Sequence, residues 1–163
     1  MTKKFYIVIF LLIFFNLRAE VVEKLEVSGN DRFSEETIKV YGEIEFGKDY
    51  SPFAIDKVLK NLYDTEFFED IKISLSNGVL NIALKEYPII NFIEIEGEKS
   101  KSIKKTVLKK LELQVKESFI ENKLSKDINL IKKIYGSIGY NFVTVDAKVE
   151  KFDDNRINLV YVL

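Results

Sequence analysis

The sequence predicts an α+β protein in which one β-α-α-β-β unit occurs twice. Three pairs of segments match in the same order along the chain: VVEKLEVSGN (21–30) with IINFIEIEGE (89–98), VLKNLYDTEFF (58–68) with LIKKIYGSIGY (130–140), and VLNIAL (79–84) with RINLVY (156–161). Apolar residues recur with a strand period in the first and third pairs and with a helix period in the second. We therefore expect two three-stranded sheets, each covered on one face by two helices.

The first copy opens with a strand and a short helix. Leu25 and Val27 alternate with charged residues, which is typical of a half-buried strand. Ser34 is a suitable N-cap, and the acidic residues after it favour the positive end of the helix dipole. The helix should end near Gly42. Its inward residues are predicted to be Ile38 and Tyr41.

A second, longer helix and a hairpin complete the first copy. Ser51 is placed to cap the helix and Pro52 to occupy its first position. One face carries the apolar residues Ile55, Val58, Leu59, Leu62 and Tyr63. Two alternating strands follow, and Asn77-Gly78 between them forms a two-residue turn because both residues tolerate positive φ.

The second copy repeats this order after Pro88, so the predicted domains are 20–87 and 88–163. Its first helix should bury Ile103, Val107, Leu108 and Leu111, and its longer helix Leu124, Ile128, Ile131 and Tyr135. The alternation from Val143 to Glu150 predicts the first hairpin strand, and 153–155 the loop after it. The face of each sheet away from the helices is polar and should be solvated.

The composition excludes several classes of enzyme. The 163 residues contain no His, Cys or Trp, which rules out a histidine general base, a cysteine nucleophile and a His/Cys zinc site. The adjacent carboxylates Glu69-Asp70 lie on a predicted strand, where neighbouring side chains point to opposite faces. A net charge of −1 argues against a nucleic-acid binder. We predict no catalytic residue, no metal site and no cofactor.

The first 19 residues have the organisation of a secretory signal peptide. Lys3 and Lys4 precede an uncharged run of 13 residues, FYIVIFLLIFFNL, and Ala19 offers a small residue for cleavage. The alternative is a membrane anchor, but a spanning helix needs roughly 20 apolar residues. We therefore expect an exported protein of 144 residues, beginning after Ala19.

This repeat resembles the POTRA domain, the periplasmic module of outer-membrane assembly proteins. The resemblance is carried by the strands that end in Gly29 and Gly97, by Leu62-Tyr63-Asp64-Thr65, by Phe68-Glu69-Asp70-Ile71, and by the strand VLNIALKEYP that closes on Pro88. It covers nearly all of 21–163. One departure is Glu66, which stands where the family usually has a glycine after the threonine of its turn.

The resemblance implies a mixed three-stranded sheet in each copy and a function in binding. It implies the docking arm of a BamA-like assembly factor at the periplasmic face of the outer membrane. The implied partners are unfolded outer-membrane proteins, periplasmic chaperones and accessory subunits. The full-length protein would be anchored by a C-terminal barrel that this sequence lacks, so the chain would be an N-terminal part. The alternatives are the POTRA pair of a two-partner secretion transporter and, remotely, a secreted carboxylate-dependent hydrolase.

In the POTRA fold the first strand of each hairpin lies at a sheet edge, and an unpaired edge can accept an extended client strand. The predicted edges are about 68–76 and 142–151. The candidate peptide-binding residues are Phe68, Ile71, Ile73, Val143, Val145 and Ala147. Charged residues such as Lys72 and Lys148 are of the kind that protect edges, so a guarded edge is the alternative.

A basic helix face is the remaining surface feature of the sequence. Lys104, Lys105, Lys109 and Lys110 cluster on the first helix of the second copy. A solvated polar face explains them, and contact with anionic lipid or a partner is the alternative.

Overall fold

The computed structural model describes residues 20–163, so the predicted signal peptide lies outside the described residues. The described chain forms two three-stranded sheets and four α-helices. Each sheet combines one parallel and one antiparallel pairing, which confirms the predicted α+β class with mixed sheets.

The first sheet has its last strand in the centre. It contains β2 (Lys24–Ser28), β4 (Phe68–Ser76) and β5 (Val79–Glu86), in the order β2-β5-β4. The helices α1 (Glu35–Tyr41) and α2 (Pro52–Asp64) lie between β2 and β4 in the chain. β4 is therefore an edge strand, joined to β5 by the predicted turn at Asn77 and Gly78, both at positive φ.

The second sheet has the same order. It contains β6 (Ile89–Glu96), β7 (Asp146–Lys151) and β8 (Arg156–Val162), arranged β6-β8-β7. The helices α3 (Lys101–Leu108) and α4 (Glu121–Ser137) come between β6 and β7. The domain bounds at 87 and 88 remain a prediction, although each sheet has its own cluster of buried residues.

The helix starts in the first copy are set by local hydrogen bonds. The Ser34 hydroxyl accepts from the Thr37 N–H, and the Ser51 hydroxyl accepts from the Ala54 N–H. Both N-caps and the helix end at Gly42 therefore agree with the sequence analysis. Ile38 is fully buried, but Tyr41 is 36% exposed, so only one of the two predicted inward residues enters the core.

A short antiparallel pair was missed by the periodicity. β1 (Glu20–Val21) pairs with β3 (Asp49–Tyr50). The Tyr50 hydroxyl oxygen accepts a hydrogen bond from the Glu45 N–H at 2.9 Å. Two residues are too few to show an alternation, so a sequence pattern cannot reveal such a pair.

The second hairpin strand begins later than predicted. It starts at Asp146, so Phe142, Val143 and Val145 precede it. In the register of the sheet Asp146 pairs with Val162, the last residue of β8. The apolar alternation before Asp146 is therefore not accompanied by strand pairing in the described residues.

Candidate peptide-binding edge

The outer side of β4 carries backbone groups that β5 does not use. In a two-residue hairpin the residues flanking the turn, Ser76 and Val79, form a hydrogen-bonded pair, and pairing then alternates along the ladder. The residues opposite Leu80, Ile82 and Leu84 are therefore non-hydrogen-bonded. Their N–H and C=O groups point away from β5, and these residues are Ile71, Ile73 and Leu75.

One of these outward groups is already occupied. The Ile71 N–H donates to the hydroxyl oxygen of Tyr63 on α2 at 3.2 Å, which agrees with the alternation. Within residues 20–163, no hydrogen bond outside the strand ladders reaches the backbone of Ile73 or Leu75. The open part of the edge therefore runs from Ile73 to Leu75.

Apolar side chains lie on the helix side of this open stretch. Ile73 and Leu75 are half-buried and pack against the first core. From α2, Ile55 and Leu59 are half-buried against the same core. A strand added to β4 would therefore have apolar side chains facing it on its helix side.

The other side of the same edge is polar. Lys72 and Ser74 are exposed on the face away from the helices, and Lys72 lies 3.5 Å from the Asp70 carboxylate. The Lys85 ammonium lies 2.7 Å from the Glu69 carboxylate. Charges of this kind are one means by which native proteins discourage strand addition at a sheet edge. They do not contact the outward N–H groups, so the edge is flanked by charge but is not closed.

The predicted site residues of β4 differ in their burial. Phe68 is 1% exposed and Ile71 is 5% exposed, so both belong to the core. A register shift between Phe68 and Asp70 interrupts the ladder at this end. Of these three residues, only Ile73 combines outward backbone groups with a half-exposed side chain. Leu75 has the same combination and was not among the predicted site residues. Whether any of them binds a peptide remains a prediction.

The edge in the second sheet is shorter. By the same alternation from the Phe152–Arg156 pair, the outward residues of β7 are Ala147, Val149 and Lys151. Ala147 thus lies on the edge as predicted from its position. Val143 and Val145 lie before the strand, and Val145 is 5% exposed, so a role for these two residues in binding a peptide stays a prediction.

A polar junction joins the two sheets. The Arg32 guanidinium binds the carboxylate of Glu86, a residue that is 5% exposed, and also donates to the Tyr87 carbonyl at 3.1 Å. The Asn155 amide donates to the Glu86 carbonyl at 3.2 Å, while the Asn155 carbonyl accepts from the Ile89 N–H at 3.0 Å. Sequence reasoning missed these contacts because they join residues up to 69 positions apart.

Glu66 also contributes to this junction. Its backbone is in the left-handed region, with φ +58°, and its carboxylate pairs with the Lys123 ammonium on α4. The turn therefore keeps the conformation that suits glycine although glutamate occupies it. The cross-junction ion pair gives a physical reason for the departure at this position.

We expect Glu66→Gly to raise the free energy of unfolding by about 1 kcal/mol at high salt, because the left-handed strain is removed while the lost ion pair is screened. Urea unfolding with and without added salt measures this. Lys123→Gln is the matched control, since it removes the same ion pair without changing the backbone, and should cost about 0.2–1 kcal/mol at low salt. A less stable Glu66→Gly variant at high salt would contradict the explanation.

The described residues form neither a metal-binding group nor a membrane-spanning helix. In 20–163 no three Asp or Glu side chains come together as a metal-binding group. Among these same residues, no helix has both the length and the apolar character needed to cross a membrane.

Comparison with known families gives a match to the second half of the chain. The family described as "POTRA: Surface antigen variable number repeat" matches residues 88–163. Among curated proteins, the chain is 24% identical over 142 residues to the outer membrane protein assembly factor BamA of Neorickettsia risticii, covering 86% of this chain and 19% of that protein. It is 26% identical over 141 residues to BamA of Neisseria meningitidis serogroup B, covering 85% and 18%. The chain therefore spans about a fifth of the length of these relatives.

Solved structures show the same fold in both halves. The N-terminal domain of Omp85 from Thermosynechococcus elongatus aligns with a TM-score of 0.55 and 15% identity, over 88% of this chain and 62% of that one. POTRA1-2 of the periplasmic domain of Omp85 from Anabaena aligns with a TM-score of 0.50 and 14% identity, over 89% and 95%.

Proposed function

We propose that this chain is a periplasmic docking arm of an outer-membrane β-barrel assembly factor, because residues 88–163 match the POTRA family and the described residues share the fold of POTRA1-2 of the periplasmic domain of Omp85 from Anabaena. It binds unfolded outer-membrane proteins, with periplasmic chaperones and accessory subunits as further partners. It acts by binding, without chemical catalysis. Support comes from relatives that are named outer membrane protein assembly factor BamA.

The observation that carries the mechanism is the open stretch of β4 with apolar side chains on its helix side. Strand addition uses the outward N–H and C=O groups of Ile73 and Leu75. A barrel strand alternates apolar and polar side chains, because one face meets lipid and the other meets the lumen. On its helix side such a strand meets the apolar side chains of Ile73 and Leu75, and on the other side it lies beside Lys72. Because backbone groups supply the binding, many different client sequences fit the same edge.

Ile73→Pro tests this mechanism, because it removes one outward N–H and leaves the β4–β5 ladder intact. We expect an extended barrel-derived peptide of about 10 residues to bind about tenfold more weakly, since one hydrogen bond is lost and its partner carbonyl is left unpaired. Fluorescence anisotropy with a labelled peptide measures the dissociation constant.

Two controls separate the possible causes of a weaker affinity. Ile73→Ala keeps the backbone N–H and removes most of the apolar side chain, so it reports the contribution of that side chain alone. Val149→Pro makes the equivalent change on the outer edge of β7 and should leave the affinity unchanged if the first sheet is the site. Circular dichroism establishes that each variant is folded. An unchanged affinity in a folded Ile73→Pro variant rejects strand addition at β4.

A further inference from the structure

One surface of α3 is formed almost entirely by lysines. Lys101, Lys104, Lys105 and Lys109 surround Leu108 and Gln114 in a shallow depression, which we call the basic face. Their spacing along the chain places them on the same side of the helix. Gln114 contributes no free amide hydrogen there, because its side-chain nitrogen donates to the Leu108 carbonyl at 3.1 Å and the Leu111 carbonyl at 2.8 Å.

These lysines differ from most others in the molecule. Within residues 20–163, eight of the thirteen lysines outside the segment 99–116 lie within ion-pair distance of a carboxylate. In the same described range, none of the seven lysines of 99–116 does so. Among the described residues, the lysines of the basic face are therefore not paired with a carboxylate at ion-pair distance.

The corresponding helix of the first copy shows that the fold does not require this charge. α1 begins with Glu35 and Glu36, which stabilise the positive end of the helix dipole. α3 occupies the same place in the repeat but has no acidic residue in its first turn and begins with Lys101. A lysine at that end opposes the dipole, so helix stability gives no reason for it.

The charge is also separated along the chain. Residues 20–87 contain 8 basic and 15 acidic residues, whereas residues 88–163 contain 14 basic and 11 acidic residues. Seven of the 14 basic residues of the second half lie in the short segment 99–116. Half of the basic residues of 88–163 thus lie in the segment that contains the basic face.

We propose that the basic face docks on an anionic phospholipid bilayer. Lysine ammoniums are flexible point charges, without the fixed fork with which arginine reads a single carboxylate or phosphate. The depression offers no fixed polar donor, because the Gln114 amide hydrogens are used within the protein. Charges of this kind suit a dense and laterally mobile layer of headgroups more than one shaped acidic peptide. Docking through α3 would orient the domain pair against the membrane.

The test is sedimentation of residues 20–163 with vesicles of phosphatidylcholine, with or without phosphatidylglycerol. We expect binding only to the vesicles that contain phosphatidylglycerol, and a loss of binding as salt is raised. The triple variant Lys104→Gln, Lys105→Gln and Lys109→Gln should bind more weakly, by about fivefold for each lysine removed. Thermal unfolding by circular dichroism checks that it is folded.

The matched control removes the same charge elsewhere. Lys60→Gln, Lys132→Gln and Lys133→Gln together neutralise three exposed lysines that make no ion pair among the described residues, and this variant should bind like the unchanged protein. Equal losses in the two triple variants, or no binding to anionic vesicles, overturn the proposal. Binding of polyglutamate through the basic face without binding to vesicles would assign the surface to an acidic protein instead. None of these outcomes involves β4, so they are independent of the peptide-binding test.

Discussion

Gly29→Ala should destabilise the protein by about 3 kcal/mol or more, because the added methyl group meets the central strand of the first sheet. Gly29 has φ +76°, and a Cβ atom there would lie 2.0 Å from the Leu84 carbonyl oxygen. That oxygen belongs to backbone, so the contact cannot be relieved by moving a side chain. Urea unfolding followed by circular dichroism measures the loss, which is a large part of the stability of a typical domain.

Gly47→Ala is the matched control for this experiment. Gly47 has nearly the same backbone conformation, with φ +77°, but no atom lies within 4 Å of the position of its Cβ. The control therefore carries only the strain of a left-handed residue, about 1 kcal/mol. If the two alanine variants lose equal stability, then close packing against β5 is not the reason that position 29 needs a glycine.

Asp127→Ala should cost about 3–5 kcal/mol, because it removes a fully buried carboxylate that holds together the second core. The carboxylate accepts from the Glu112 N–H at 2.7 Å, the Leu113 N–H at 3.0 Å and the Tyr161 hydroxyl at 3.1 Å. Burial, together with the charge of Asp127, raises the pKa of Tyr161 far above its usual range, so the hydroxyl remains a donor. Without the carboxylate all three donors lose their acceptor inside the protein.

Tyr161→Phe removes one of these donors and leaves the two backbone hydrogen bonds in place, so it should cost about 1 kcal/mol. In the double variant the two losses should be less than additive, because Asp127→Ala already breaks the bond that Tyr161→Phe removes. Thermal unfolding measures all three variants. A loss for Asp127→Ala as small as that for Tyr161→Phe would show that water satisfies the two backbone groups.

The sequence predicted the parts of the fold that repeat with a fixed period. The alternation around Leu25 and the Ser51-Pro52 start are local signals, and the structure has a strand and a helix at those places. Asp127 shows the opposite case. A carboxylate on a helix is normally solvated, and its burial depends on the loop at Glu112 and Leu113, which the helix period does not describe.

The candidate edge was predictable as a strand but not in detail. Which residues of β4 face outward depends on the register with β5, which is fixed by the turn at Asn77-Gly78. The contact from Tyr63 to the Ile71 N–H could not be predicted, because it depends on how α2 packs on the sheet. In the second copy, the apolar residues Val143 and Val145 continue the alternation before Asp146, so periodicity placed the start of β7 earlier than the structure does.

Amide hydrogen exchange measured by NMR, with and without a saturating barrel-derived peptide, tests the central claim most directly. Strand addition at β4 predicts that the N–H groups of Ile73 and Leu75 exchange rapidly in the free protein and become protected when the peptide is bound. The amides of Lys72 and Ser74, which face β5 in the hairpin register, should already be protected without it. Peptide binding that leaves Ile73 and Leu75 unprotected would contradict the account.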